Sequence, residues 1–173
     1  MELRAVITAR GAIFDGRASS IVRRELDAAM EEAVMFGERF VKERTPQGVY
    51  GAQGGLLSTI AGEVVEKGTP AIKGVIGTNS PYGEVVEKGR TPGKAMPPKG
   101  SLQRWIEVKM GLGEEEAARI EFAVRRKLGK KGFEGAHMLE SLFDDGWPDI
   151  QRIFEGRGFA ITKQLAEGSE KKL

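Results

Sequence analysis

Between Val22 and Val41 the apolar residues return every three or four positions: Val22, Leu26, Ala29, Met30, Ala33, Val34, Gly37, Phe40 and Val41. At 3.6 residues per turn these positions form one continuous stripe. Arg23, Arg24, Glu31, Glu32, Glu38 and Lys42 fall on the other side. The spacing predicts a long helix that starts at Ser19 or Ser20, either of which suits an N-cap, and runs to about Glu43. A stripe of this length must be covered, so the remaining chain has to fold back onto it.

Upstream, "ELRAVITAR" alternates, with Leu3, Ala5, Ile7 and Ala9 on one side and Glu2, Arg4, Thr8 and Arg10 on the other, the pattern of a half-buried strand. Downstream, a short string occurs twice, as "GEVVEKGTP" (62–70) and "GEVVEKGRTP" (83–92). In the first copy, Val64 and Val65 lead through Gly-Thr-Pro to Ile72, Val75 and Ile76. That reads as a hairpin, with Pro70 opening its second strand, where a missing amide does little harm. A helix over Leu56–Glu66 competes, because Leu57, Ile60, Ala61 and Val64 also fit helical spacing. The second copy follows Asn79 or Ser80 as cap and Pro81 as first helical residue, and it ends at Gly89, which predicts a helix of about two turns. The two copies are therefore expected to fold differently rather than to form equivalent sites. A solenoid would need three or more repeats.

The second half of the chain is read as helical. "RTPGKAMPPKG" (90–100) is a flexible loop, and Ser101 caps a helix bearing Leu102, Trp105, Ile106 and Met110. Glu114–Leu128 follows with Ala117, Ile120, Ala123, Val124 and Leu128, and "GKKGFEG" interrupts. Residues 136–145 carry Met138, Leu139, Leu142 and Phe143. A last helix begins around Ile150, Ile153 and Phe154 and continues through Ile161 and Leu165. The expected fold is α+β: a long N-terminal helix packed on a small antiparallel sheet, with a helical C-terminal half. A single domain is expected over 1–155, with loops at 46–55 and 89–100, and a helical extension with a charged tail over 156–173.

Little in the sequence points to chemistry. There is no cysteine, and His137 is the one histidine, which speaks against multi-histidine metal sites and a serine–histidine–aspartate triad. His137 reads as a helix-start or packing residue. Phosphate-binding glycine motifs are missing. Glu63 with Glu66, Glu84 with Glu87, and Asp144 with Asp145 read as solvated faces, not acid–base pairs. The N-terminus lacks the features of an export signal, and no run approaches the ~20 apolar residues of a membrane span. The expectation is a non-enzymatic protein without cofactor or metal. Net charge is +2, which argues against a dedicated nucleic-acid binder. Arg125, Arg126, Lys127, Lys130 and Lys131 nevertheless cluster. Three readings stay open for them: a solvated helix end, contact with an acidic protein, or a small nucleic-acid-binding protein as the alternative function. Phe133 is the aromatic nearby, so a single-strand stacking platform is not expected.

The ordered segments resemble a known family. Thr45-Pro46, Gly55-Leu56 and Ser58-Thr59-Ile60 form a "TP…GxL…SI" entry. "GVIGTNSPYGEVVEKG" (74–89) is similar to a "VGTN…YA.YVE.GT" signature. "PPKGSLQRWIEVKMG" (97–111), "ARIEFAVRRKLGKKGFEGAHMLESLF" (118–143) and "WPDIQRIF" (147–154) follow. Over roughly residues 40–155 the chain resembles the tail-completion, or minor tail and neck, proteins of long-tailed bacteriophages and prophages. It departs from the pattern at Gly83, where the family has alanine, and at Val86 and Lys88, where most relatives carry an aromatic around the glutamate. The resemblance implies a structural virion protein, made in the host cytoplasm, that joins head to tail as a ring homo-oligomer, expected to be hexameric. Its partners would be head-closure or connector, tail-terminator and tail-tube proteins, with genomic DNA passing through the lumen without sequence-specific binding. Near-neutral charge suits such a conduit. Candidate protein-interaction residues lie in the glycine-rich segments, the signature and the basic cluster: Tyr50, Tyr82, Glu87, Arg90, Arg125, Arg126, Lys130 and Lys131.

Overall fold

The computed structural model describes residues 13, 16–48 and 55–166. The strand expected over 2–10, Tyr50 with most of loop 46–55, and the tail from residue 167 onward lie outside them. In chain order the elements are α1 (Ala18–Arg44), α2 (Leu56–Thr59), β1 (Ile60–Val65), β2 (Lys73–Thr78), α3 (Gly83–Lys88) and β3 (Gly89–Arg90). Then come α4 (Gln103–Met110), α5 (Glu114–Lys131), β4 (Phe133–Glu134), α6 (Glu140–Asp144) and α7 (Trp147–Ala166). β1 pairs with β2, and β3 with β4, giving two small sheets in an α+β fold. The described residues fall into two compact units, one drawn from Met1–Gly37, Gly62–Val75 and Trp147–Leu173, the other from Glu38–Ala61 and Ile76–Gly146. The 155/156 boundary expected from sequence falls inside α7, which continues through it.

In the first unit α1 buries its stripe as the spacing predicts: Ala29, Ala33 and Val34 are in the core. The hairpin lies against this stripe. A Cβ on Gly74 would stand 2.6 Å from Val34 Cγ2 and 2.9 Å from Met30 Sδ, so the strand approaches α1 closer than any side chain allows. The hairpin turn is tied to the same helix. Asp27 accepts the Gly68 amide at 3.0 and 3.1 Å, and Lys67 Nζ sits 2.6 Å from Glu31 Oε1. Pro70 lies in this turn and not at the start of β2, and the helix weighed for Leu56–Glu66 shrinks to the single turn α2.

α7 has no buried residue and meets α1 through polar groups. The largely buried Glu25 accepts from Gln164 Nε2 (2.9 Å), Arg24 Nη2 (3.3 Å) and Arg157 Nη1 (3.4 Å). Arg157 also reaches Glu32 at 3.0 Å, and Arg24 donates to the Gln164 side-chain oxygen. The Gln164 amide, then Arg24 and Arg157, hold the Glu25 carboxyl below the usual glutamate range despite its burial.

The second unit holds Phe40, Val41, Leu56, Ile60, Ile106, Ala117, Met138 and Leu142 in its core. α4 packs on α5. The segment after α5 runs antiparallel along α3 and β3, with Gly89 opposite Glu134 and Arg90 opposite Phe133. The Ala136 amide donates to Val86 O (2.8 Å) and the His137 amide to Glu87 O (3.1 Å). Glycine makes this crossing possible. A Cβ at Gly132 would collide with the Arg90 carbonyl, and one at Gly135 with the Glu87 carbonyl.

The repeated string thus folds in two ways. Its first copy is a strand followed by a turn with Glu66 at φ 57 and Gly68 at φ 72, and the second is α3, closed by Gly89 at φ 73. In α3 the i,i+4 spacing lets Lys88 pair with Glu84 at 2.9 Å. In the strand the matching Glu63 and Lys67 are drawn apart, and Lys67 turns to Glu31. The expected Asn79 or Ser80 cap does not form. Tyr82 precedes the helix, and the Gly83 amide instead closes a turn on Ser80 O (3.0 Å).

Two outcomes follow for stability. Gly135→Ala forces backbone against backbone and is expected to cost about 3 kcal/mol or more in urea unfolding; a near-neutral result would contradict the crossing. For Glu25 the folded-state pKa is depressed, so its contribution is present above the unfolded value of about 4.3 and is lost as pH falls through the folded-state value. Glu25→Gln is expected to lower Tm at neutral pH and to flatten the acid limb of a Tm–pH profile. An acid limb unchanged by the substitution would count against this network.

Candidate interaction surface

The predicted interaction residues divide into those consumed by the fold and those left facing solvent. Glu87 belongs to the first group. Its carboxylate accepts the Leu139 amide at 3.1 and 3.0 Å and the Glu140 amide at 2.9 Å. These are orphan donors at the start of α6, which has no side-chain cap of its own. Arg90 is half-buried in β3 and donates to the Ala95 carbonyl. Arg125, also half-buried, donates from Nε to Pro97 O at 2.6 Å. Tyr82 is exposed in the turn before α3, and Arg126, Lys130 and Lys131 are exposed at the end of α5.

Glu121 has the same function as Glu87. It is 4% exposed and accepts the Gly100 amide (3.0 Å) and the Leu102 amide (3.1 Å) at the start of α4. The Gly100 amide, then that of Leu102, and the charges of Arg125 and Lys99 draw its pKa below the usual range. The buried face of α5 therefore runs through Ala117, Glu121 and Gly129, with Val124, Arg125 and Leu128 half-buried. The apolar face expected from sequence included Ile120 and Ala123, which are exposed. A single buried carboxylate rotates the face away from the purely apolar positions.

Ser101 does not cap α4 with its side chain. It donates to Pro98 O at 2.7 Å, and Ser20 likewise donates to Arg17 O at 2.8 Å inside α1. Of the apolar residues assigned to α4, Ile106 is buried, whereas Trp105 and Met110 are exposed.

Of the loop 90–100, expected to be flexible, Arg90 joins β3 and residues 91–100 are pinned along α5. The Gly93 amide bonds Gly129 O at 2.9 Å, Met96 lies against Gly129, and Pro97 and Gly100 are held by Arg125 and Glu121. This docking brings Lys94 against Gly129 at the basic end of α5 and Lys99 near Glu121 in its middle, juxtapositions that local pattern does not show. Gly129 was the available signal, since glycine inside a helix loses about 1 kcal/mol against alanine and is often kept for a close approach.

Three of the six carboxylates weighed as acid–base candidates have other partners. Glu66 pairs with Lys73 at 2.8 Å, Glu84 with Lys88, and Glu87 caps α6. His137, at φ 48, contacts Glu140 Oε2 at 2.6 Å just ahead of α6. No group of three or more potential metal ligands occurs among the described residues. Of these residues, no helix is long and apolar enough to cross a membrane.

Large apolar side chains remain in solvent on several elements. Trp105 and Val108, one turn apart on α4, are both exposed, as are Phe122 (57%) on α5, Phe143 (68%) on α6 and Phe159 (75%) on α7.

Glu87→Ala removes the acceptor for two helix-start amides. It is expected to cost about 1–2 kcal/mol and to raise amide exchange at Leu139 and Glu140 before the rest of the second unit. Uniform exchange across that unit would refute a local capping role.

No protein-family model, curated protein or solved structure matches this chain.

Proposed function

We propose that this chain is a structural protein of the head–tail junction of a long-tailed phage, a tail-completion or neck subunit that works as a ring homo-oligomer. The observation that carries the reading is the amount of large apolar side chain left in solvent, headed by Phe159, Phe143, Met35, Ile13 and Phe122. Exposed aromatics and methionines are the side chains that protein interfaces concentrate. They occur in both compact units, which suits a ring subunit that needs two different faces for its two neighbours. The family-like segments are also spread over successive elements: residues 74–89 reach from β2 through α3, 97–111 include α4, 118–143 run through α5 to α6, and 147–154 open α7. On this reading the protein acts through the surfaces it offers to other proteins. Head-closure and tail-tube proteins would dock on the apolar faces, and DNA would pass through the assembled ring.

Light scattering and negative-stain imaging of the purified chain are expected to show closed rings. Phe122→Asp and Phe143→Asp, both at exposed positions, are expected to shift the mass toward the single subunit without loss of fold. Particles assembled without the protein are expected to accumulate as separate heads and tails. Normal joining in its absence would end the proposal.

A further inference from the structure

Most of the described cations outside the end of α5 and its docked loop sit in ion pairs, such as Lys42 with Glu38 (2.5 Å), Lys67 with Glu31 (2.6 Å) and Arg152 with Asp149 (2.8 Å). One region differs. Lys94, Arg126, Lys127, Lys130 and Lys131 are exposed and make no ion pair among the described residues. Lys99 is exposed farther along the docked loop, where its charge reaches Glu121 without an ion pair. Arg126, Lys127, Lys130 and Lys131 occupy the last turns of α5, a strip of about 8 Å at 1.5 Å per residue, and the pinned loop holds the Lys94 backbone against Gly129 in the same turns. The nearest buried acid, Glu121, is already committed to two backbone amides.

We infer that this strip is a binding surface for the phosphate backbone of duplex nucleic acid, read without regard to sequence. Three features choose this partner. The cations are mostly lysine, which protein interfaces deplete and which suits a point-charge contact to phosphate. They make no ion pair, and Arg126 with Lys130 and Lys127 with Lys131 each stand one turn apart on α5, which suits the closely spaced phosphates of a duplex that carries one charge per about 1.7 Å of its axis. Exposed Phe122, one turn before Arg126, and exposed Phe133 stand at opposite ends of the basic segment, eleven residues apart, so they form no continuous row on which the bases of a single strand could stack. The overall charge of +2 concealed this surface, because acids elsewhere in the chain balance these cations in the sum without pairing with them. The inference stands whether or not the neck reading holds.

The test is fluorescence anisotropy of the full chain with labelled duplexes of two unrelated sequences. Both duplexes are expected to bind equally. With about five phosphates neutralised, affinity should fall about 500-fold between roughly 50 and 200 mM salt. Each of Lys94→Gln, Arg126→Gln and Lys130→Gln is expected to reduce the logarithmic salt slope by about one. Lys73→Gln, whose cation is paired in the hairpin, is expected to change nothing, and circular dichroism is expected to be the same for all variants. Absence of binding at low salt, or equal loss from Lys73→Gln, would overturn the inference. Equal competition by a polyglutamate chain of matched charge would also overturn it, assigning the strip to an acidic protein.

Discussion

Buried and half-buried carboxylates that accept backbone amides from distant segments hold the second unit in register. No N-cap residue of α2 through α6 bonds its own helix through a side chain. The donors at the start of α4 and α6 are satisfied instead by Glu121 and Glu87, which come from other helices. An unpaired amide in a protein interior is expensive, so each carboxylate fixes where its partner helix begins. In the first unit Asp27 makes the same kind of bond, to the hairpin turn at Gly68. Charge placed this way orders the chain and is no longer free for anything else.

The glycine crossing of β3 and β4 complements those bonds. With Gly132 and Gly135 carrying no side chain, the strand after α5 lies directly on the backbone of residues 87–92, and the loop beyond is drawn along α5. Two consequences reach the surface. Arg90 and Arg125 are spent on carbonyls inside this arrangement, while Lys94 is carried to a helix end already rich in cations. The same packing leaves Phe122 facing outward, because the inward side of α5 is occupied by Glu121 and its amides. The apolar and basic features offered to partners are by-products of how the interior polar groups are satisfied.

The fold was legible where it depends on a repeating pattern. Every residue of the α1 stripe is buried or half-buried, and the two copies of the repeated string separate as their neighbours suggest: a Gly-Thr-Pro turn makes the first a hairpin, and the Gly89 stop closes the second as a helix. Local cap signals were less reliable. Ser20 and Ser101 donate to carbonyls three residues back, a competing bond open to any serine near a helix start. Glu87 was singled out as an interaction residue, but its carboxylate serves the interior.

By itself the sequence determined the long helix, the hairpin, the helical second half and the α+β class. These follow from periodicity, an average over many side chains that no single contact can reverse. Only the tertiary structure decided which charges are buried, which glycines are approached and which cations stand together. Those outcomes turn on the meeting of one carboxylate or one missing Cβ with a backbone segment twenty to fifty residues away, and local pattern contains no record of that distance.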